Sequence, residues 1–148
     1  MKKLIIFAAA VLALTVPAFS QTDKQKAKII SEIEKVMTEQ TAAWNRGDID
    51  GFMEGYWKSE EMRFVSGNSV SMGWQAALDR YKKSYDTRAK MGELTFEDPV
   101  IVVLDKNNAY VFGRFILVRE NDKPTGLFTL VFRRTKDGWK IIHDHTST

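Results

Sequence analysis

The only two histidines of the chain stand two apart near its end, in Trp139-Lys-Ile-Ile-His143-Asp-His145-Thr-Ser147. Side chains of an extended strand alternate between faces, so Trp139, Ile141, His143, His145 and Ser147 share one side and Lys140, Ile142, Asp144 and Thr146 the other. Trp139 and Ile141 mark the odd-numbered side as the buried one, which predicts two imidazoles lining a cavity. An imidazole titrates near neutral pH and either nitrogen can donate or accept, so His143 and His145 are the candidate general acid or base. The alternative is that both are hydrogen-bonded core or rim residues. A His-x-His pair also invites a metal. Zinc or iron needs a third and usually a fourth ligand, and a chain with no Cys and no other His would have to supply carboxylates, so neither metal nor cofactor is expected. The sequence carries no nucleophile elbow and no glycine-rich loop spaced for phosphate.

Arg114 follows Gly113 inside an apolar run and shares a face with Tyr110, Phe112 and Ile116. A guanidinium on a covered face needs an anion, either an internal carboxylate such as Asp48 or Glu54 or a ligand carboxylate held by its fork. Asp48 itself follows Gly47 and precedes Ile49, Phe52 and Met53, where its simplest role is the N-cap of a short helix.

The elements that must position these groups read as a helical first part and a strand-rich second part. Ile30, Ile33, Met37, Thr41 and Trp44 recur at spacings of three and four, predicting a helix over about 24–45 that Gly47 stops. Short strands are expected at Met62 to Val65 and through Val70, around a Ser66-Gly67-Asn68 turn. Trp74, Leu78, Tyr81 and Tyr85 form the stripe of a further helix, with Arg80, Lys82, Lys83, Arg88 and Lys90 mostly off it as a solvated face. Four apolar runs then follow, Leu94 to Leu104, Ala109 to Val118, Gly126 to Phe132 and Trp139 to His145, divided by turn signals of which Asp137-Gly138 is the strongest. Short connections imply an antiparallel meander, and helices covering it make an α+β domain. The run Ala109 to Val118 is apolar at both parities, whereas a sheet with one wet face alternates. A second copy of the chain is the economical cover for the second face, so a homodimer through the sheet is expected.

Composition agrees with one globular domain: 148 residues, 44% hydrophobic, 28% charged. The N-terminus does not belong to that domain. Lys2 and Lys3 precede an uncharged run from Leu4 to Val16, and Pro17-Ala18-Phe19-Ser20 offers small residues at a cut, which reads as a secretory signal peptide cleaved after Ser20 and leaves a mature domain over 21–148. The run is too short to span a membrane. The expected location is therefore the periplasm or the cell exterior, with no membrane partner after cleavage. With 22 Lys and Arg against 19 Asp and Glu, and two of the lysines lost with the leader, no basic stripe for nucleic acid remains.

Taken together, these residues resemble the nuclear transport factor 2-like superfamily, a cone-shaped α+β fold shared by ketosteroid isomerase, scytalone dehydratase and SnoaL-like cyclases. The resemblance runs from about Lys28 to Ser147 and rests on Trp44-Asn-Arg-Gly47-Asp48, on Gly73 before the third helix, and on Asp137-Gly138-Trp139 with the His-x-His-x-Ser strand. That strand is also similar to the association domain of calcium/calmodulin-dependent kinase II. The resemblance implies a pocket at the wide end of the cone, with Asp48, Tyr56 and Trp57 near its rim and Arg114 near an arginine that meets small carboxylates in the kinase domain. Trp44, Phe112 and Phe128 complete the expected ligand-binding set. The function expected is a small-molecule-binding domain for a small carboxylate or cyclic organic ligand. A cofactor-independent isomerase, dehydratase or cyclase using His143, His145 and Asp48, and an oligomerisation scaffold, are the alternatives.

Overall fold

The computed structural model describes residues 22–148, so the expected leader lies outside the described residues. Helix α1 (Asp23–Asn45) begins at a reciprocal cap: Thr22 Oγ1 accepts from the Gln25 N–H at 3.3 Å and Gln25 Oε1 accepts from the Thr22 N–H at 2.9 Å. Its buried stripe is Ile29, Ile33, Met37, Gln40, Ala43 and Trp44. Ile29 and Gln40 hold the places expected of Ile30 and Thr41. The Thr41 hydroxyl turns back to the Met37 carbonyl at 3.0 Å, satisfied within its own helix, and leaves Gln40 as the polar group facing inward.

Helices α2 (Ile49–Met53), α3 (Trp74–Ser84) and α4 (Arg88–Met91) alternate with strands β1 (Arg63–Ser66) and β2 (Ser69–Met72), and the chain closes with β3 (Glu93–Val103), β4 (Asn108–Val118), β5 (Thr125–Thr135) and β6 (Gly138–Ser147). The expected meander is present, as part of a curved sheet in the order β2-β1-β6-β5-β4-β3. One pairing escapes local sequence signals: β1 lies parallel to β6, Phe64 opposite Asp144 and Val65 opposite His145.

The helices cover one face of this sheet. Ala109, Val111 and Leu117 of β4 are buried under them, while Phe112 and Arg114 point out of the other face. The C-terminal end of α1 is pinned to the start of β3, because Asn45 exchanges hydrogen bonds with the Leu94 backbone at 2.7 and 3.1 Å and Trp44 Nε1 donates to the Met91 carbonyl at 3.2 Å. Trp74 Nε1 donates to the Met53 carbonyl at 2.9 Å and ties α3 to α2 in the same way. These buried and part-buried bonds satisfy indole and amide groups that would otherwise oppose packing.

Two irregularities shape the sheet. In β3 the register shifts between Glu97 and Val100, where Asp98 takes φ of 48° before Pro99. In β6 the register shifts opposite Val131 and Phe132: Val131 pairs with His143 and Phe132 with Ile141, so Ile142 is the extra residue of a β-bulge.

Candidate functional site

That second bulge decides which side chains reach the interior. Before it, Trp139 and Ile141 face the helices as the alternation predicts, both buried. Ile142 uses up one residue without a partner, and parity inverts beyond it. Asp144 and Thr146 then face inward, and His143 and His145 face outward. The same edge of β6 accepts the segment after α2: the Trp57 N–H donates to the Ile141 carbonyl and the Ile141 N–H to the Gly55 carbonyl, each at 2.9 Å. This short parallel contact carries Tyr56 inward beside Asp144.

Between α1, α3 and the sheet lies a cavity of about 160 Å³. Its wall is aromatic, with Trp44, Phe52, Tyr56, Phe64, Tyr81 and Phe128 among the lining residues. Trp44 meets Phe52 and Tyr85 edge to face at 5.1 and 4.7 Å, and Phe96 meets Phe128 at 5.2 Å, contacts that hold the rings in fixed orientations. The exposed Ser84 and Thr148 mark the mouth, with Arg80 one helical turn before Ser84.

Inside, the polar centre is Asp144, 3% exposed. Tyr56 donates its hydroxyl to Asp144 Oδ2 and Thr146 donates to Oδ1, both at 2.7 Å. Burial outweighs these two hydrogen bonds and pushes the carboxyl up to about 6, into the range where it can exchange a proton at neutral pH. The phenols of Tyr56 and Tyr81 are held well above their ordinary range, first by burial and next by the Asp144 charge, and stay protonated donors. Gln40 forms another part of the wall. Its Nε2 donates to the Phe52 carbonyl at 3.1 Å, which fixes the amide and leaves Oε1 buried with no donor among the described residues.

Of the residues expected at the site, the structure brings Trp44, Tyr56 and Phe128 together on this cavity. The others lie elsewhere. His143 is half-buried on the outer face beside Arg63, where burial, His145 and Arg63 lower its pKa, and His145 is exposed. Arg114 is on the same outer face, its side chain 44% exposed and 3.7 Å from Glu97, so the anion it meets within the chain is neither Asp48 nor Glu54. Phe112, two residues away, is exposed with it. Trp57 lies beneath the Arg133 guanidinium at 5.8 Å. Asp48 caps α2, its Oδ1 accepting from the Gly51 N–H at 2.7 Å and its Oδ2 paired with Arg46 at 2.6 Å; the Gly51 bond, then Arg46, lowers its pKa. Among the described residues no three His, Asp or Glu side chains gather as a metal-binding group would require.

Sequence reasoning passed over Asp144, Thr146, Gln40 and Tyr81 as site residues. A signal for Gln40 is there, since it falls three after Met37 and four before Trp44 on the apolar stripe. For Asp144 there is none without the bulge.

An α+β cone with helices on one face of a curved sheet and a cavity between them defines the nuclear transport factor 2-like class. Within that class the chain belongs to the SnoaL-like domain family, whose model matches residues 33–148. It is similar to a nuclear transport factor 2-like protein of unknown function from Shewanella oneidensis, with 39% identity over 80% of this chain and 98% of that one and a TM-score of 0.77. Proteins of the same fold from Salmonella enterica and Pseudomonas putida share 21% and 19% identity, each over 82% of this chain and over 92% and 87% of theirs, with TM-scores of 0.67 and 0.68. No curated protein matches the chain.

Proposed function

We propose that this domain binds a small, largely apolar cyclic organic molecule in the aromatic cavity, with the polar end of the ligand at the Tyr56 and Asp144 pair. The observation that carries this reading is a carboxyl group at 3% exposure placed on the wall of a cavity whose other walls are mostly rings. A core does not gain from such a group, because burial penalises its charged form and an apolar residue of the same size would pack there without that penalty. Pockets for small molecules combine apolar walls with a few polar anchors in this way.

A second reading follows from the same carboxyl. A group pushed up to about 6 can take a proton from a bound molecule while Tyr81, whose phenol stays protonated on the same cavity, donates to a developing oxyanion. In that case the acid-base residue of a cofactor-independent isomerase or dehydratase is Asp144, and His143 and His145, on the other face, take no direct part.

Export and dimerisation belong to the proposal as well. The first rests on the leader-like residues 1–20 and the second on the apolar outer face of the sheet. Among the described residues no helix is long and apolar enough to cross a membrane.

The test is a thermal-shift series with cyclohexanol and related one-ring compounds, wild type beside Phe96→Trp, which extends a half-buried ring of the cavity lining into the space. A ligand at 100 times its Kd raises stability by about 2.7 kcal/mol. Stabilisation of the wild type that the filled variant lacks supports the cavity as the binding site; equal responses of the two proteins overturn it.

A further inference from the structure

We infer that the cavity selects a small organic cation, a protonated amine carried on about one six-membered ring, with the Asp144 carboxylate as its counter-charge. This rests on the cavity being a ligand site and names the ligand class. The first support is the state of the carboxylate. Its partners are two hydroxyls, Tyr56 and Thr146, whereas a carboxylate offers about four acceptor positions. Among the described residues no Lys or Arg forms an ion pair with it. Arg80 lines the cavity, but its guanidinium lies over the Phe64 ring at 4.9 Å and reaches Ser71 Oγ at 3.5 Å, on the helix that leads to the mouth.

The second support is independent of Asp144. Gln40 lines the cavity, is 2% exposed, and its Oε1 is a buried acceptor without a donor among the described residues, so a second acceptor of the lining lacks an N–H or O–H partner. The third is the surround. The rings of Trp44, Tyr56, Tyr81 and Phe128 line the cavity, and aromatic rings attract cations most strongly where water is excluded. An anionic ligand would meet the Asp144 charge, and a neutral hydrocarbon would leave both acceptors unmet. The size limit comes from the volume, since a cavity near 150 Å³ accommodates a benzene-sized molecule.

Calorimetry on the full chain around pH 8 with three probes of nearly equal shape, cyclohexylamine, cyclohexanol and cyclohexanecarboxylate, tests the inference. The expected order is amine tightest, about tenfold or more over the alcohol, with the carboxylate weakest. Repeating the pair around pH 5, where Asp144 is largely protonated, should remove most of that preference without any substitution, and Asp144→Asn should remove it at both pH values. The other groups bearing on Asp144 are Tyr56 and Tyr81, which stay protonated over this range, Thr146, the Arg80 guanidinium that lines the same cavity, and His145 on the opposite face. If the amine and the alcohol bind equally, or the carboxylate binds best, the cavity is a ligand site and the cation inference is wrong. If none of the three binds, the cavity reading fails with it.

Discussion

A carboxyl group enclosed by rings, with two hydroxyl donors and, among the described residues, no ion-pair partner, works against the fold whenever it is ionised. Asp144 is pushed from 3.8 up to about 6 by burial, so the folded chain holds its proton more tightly than the unfolded chain does. The stability linked to that proton is fully present below about pH 3.8 and is lost as the pH rises through about 6. The full penalty at neutral pH is about 3 kcal/mol, since each tenfold change in proton affinity is worth about 1.4 kcal/mol. Asp144→Asn keeps the shape and removes the charge. Urea unfolding at a series of pH values should find the variant more stable than wild type at pH 7 by up to about 3 kcal/mol and lacking the decline between about pH 4 and 6; a less stable variant at pH 7 would show that the charge is compensated. Tyr56→Phe acts in the opposite sense. It deletes a donor to a buried charge, should cost about 1.5–3 kcal/mol around pH 8, and should move the Asp144 titration, followed by carboxyl carbon NMR, further up. An unmoved titration would mean that Tyr56 does not hold the ionised form.

At the scale of elements, the position of this carboxyl depends on one extra residue. The apolar stripes of α1 and α3, the four long strands and their turns are legible because each is a local repeat: period 3.6 in Ile33, Met37 and Trp44, period two in Val111, Phe115 and Leu117, Asp137-Gly138 at the last turn. Ile142 looks like any other apolar strand residue, and nothing near it in the sequence tells whether it pairs or bulges. The partners that decide the matter, Gly55 and Trp57 on one edge and Val131 and Phe132 on the other, are distant along the chain. The faces assigned to His143, His145 and Asp144 therefore come out inverted, and so does the site built on them. Deleting Ile142 would remove the extra residue and leave Trp139, Ile141, Asp144 and Thr146 on the covered side in strict alternation, so it should change the local bend of β6 and not the facing of these side chains. Urea unfolding at a series of pH values should therefore find in the deletion variant the same decline between about pH 4 and 6 as in wild type, because Asp144 stays enclosed; a variant that lacks the decline would mean that the bend at Ile142, and not parity alone, encloses the carboxyl. Gly126 shows a different constraint on the same sheet. A Cβ there would sit 1.8 Å from the Ser147 carbonyl oxygen, which is backbone and cannot rotate away. Gly126→Ala should accordingly separate the ends of β5 and β6 beside Thr146, at about 1–3 kcal/mol by the same unfolding measurement.

At the scale of the whole molecule, the face of the sheet away from the helices is the least explained by the single chain. Val100, Phe112 and Leu127 are 55%, 44% and 40% exposed. Register joins them into one patch, for Val100 pairs with Phe112, and Leu127 pairs with Arg114, next along the same face. Arg114 with Glu97 borders the patch on one side, and His143 and His145 on the other. Isolated apolar side chains on a surface need no partner, but a contiguous set bordered by charges of both signs is the composition of an association surface. A second copy of the chain fits this one because both signs are present on it, so a two-fold pairing can set Arg114 of one protomer against a carboxylate of the other. In a two-fold interface each substitution is counted twice, which makes a single charge at the centre decisive. Sedimentation equilibrium of the chain over 21–148 should find twice the protomer mass for wild type and the protomer mass for Phe112→Glu. Because Phe112 points away from the cavity, the variant should keep the cyclohexylamine affinity of the wild type if the ligand site is complete within one protomer. A wild-type protein that sediments as a monomer at every concentration would leave the outer face without a partner and remove the dimer from the proposal, whereas a monomeric variant that has lost the ligand would show that pairing of the sheets holds the cavity in shape.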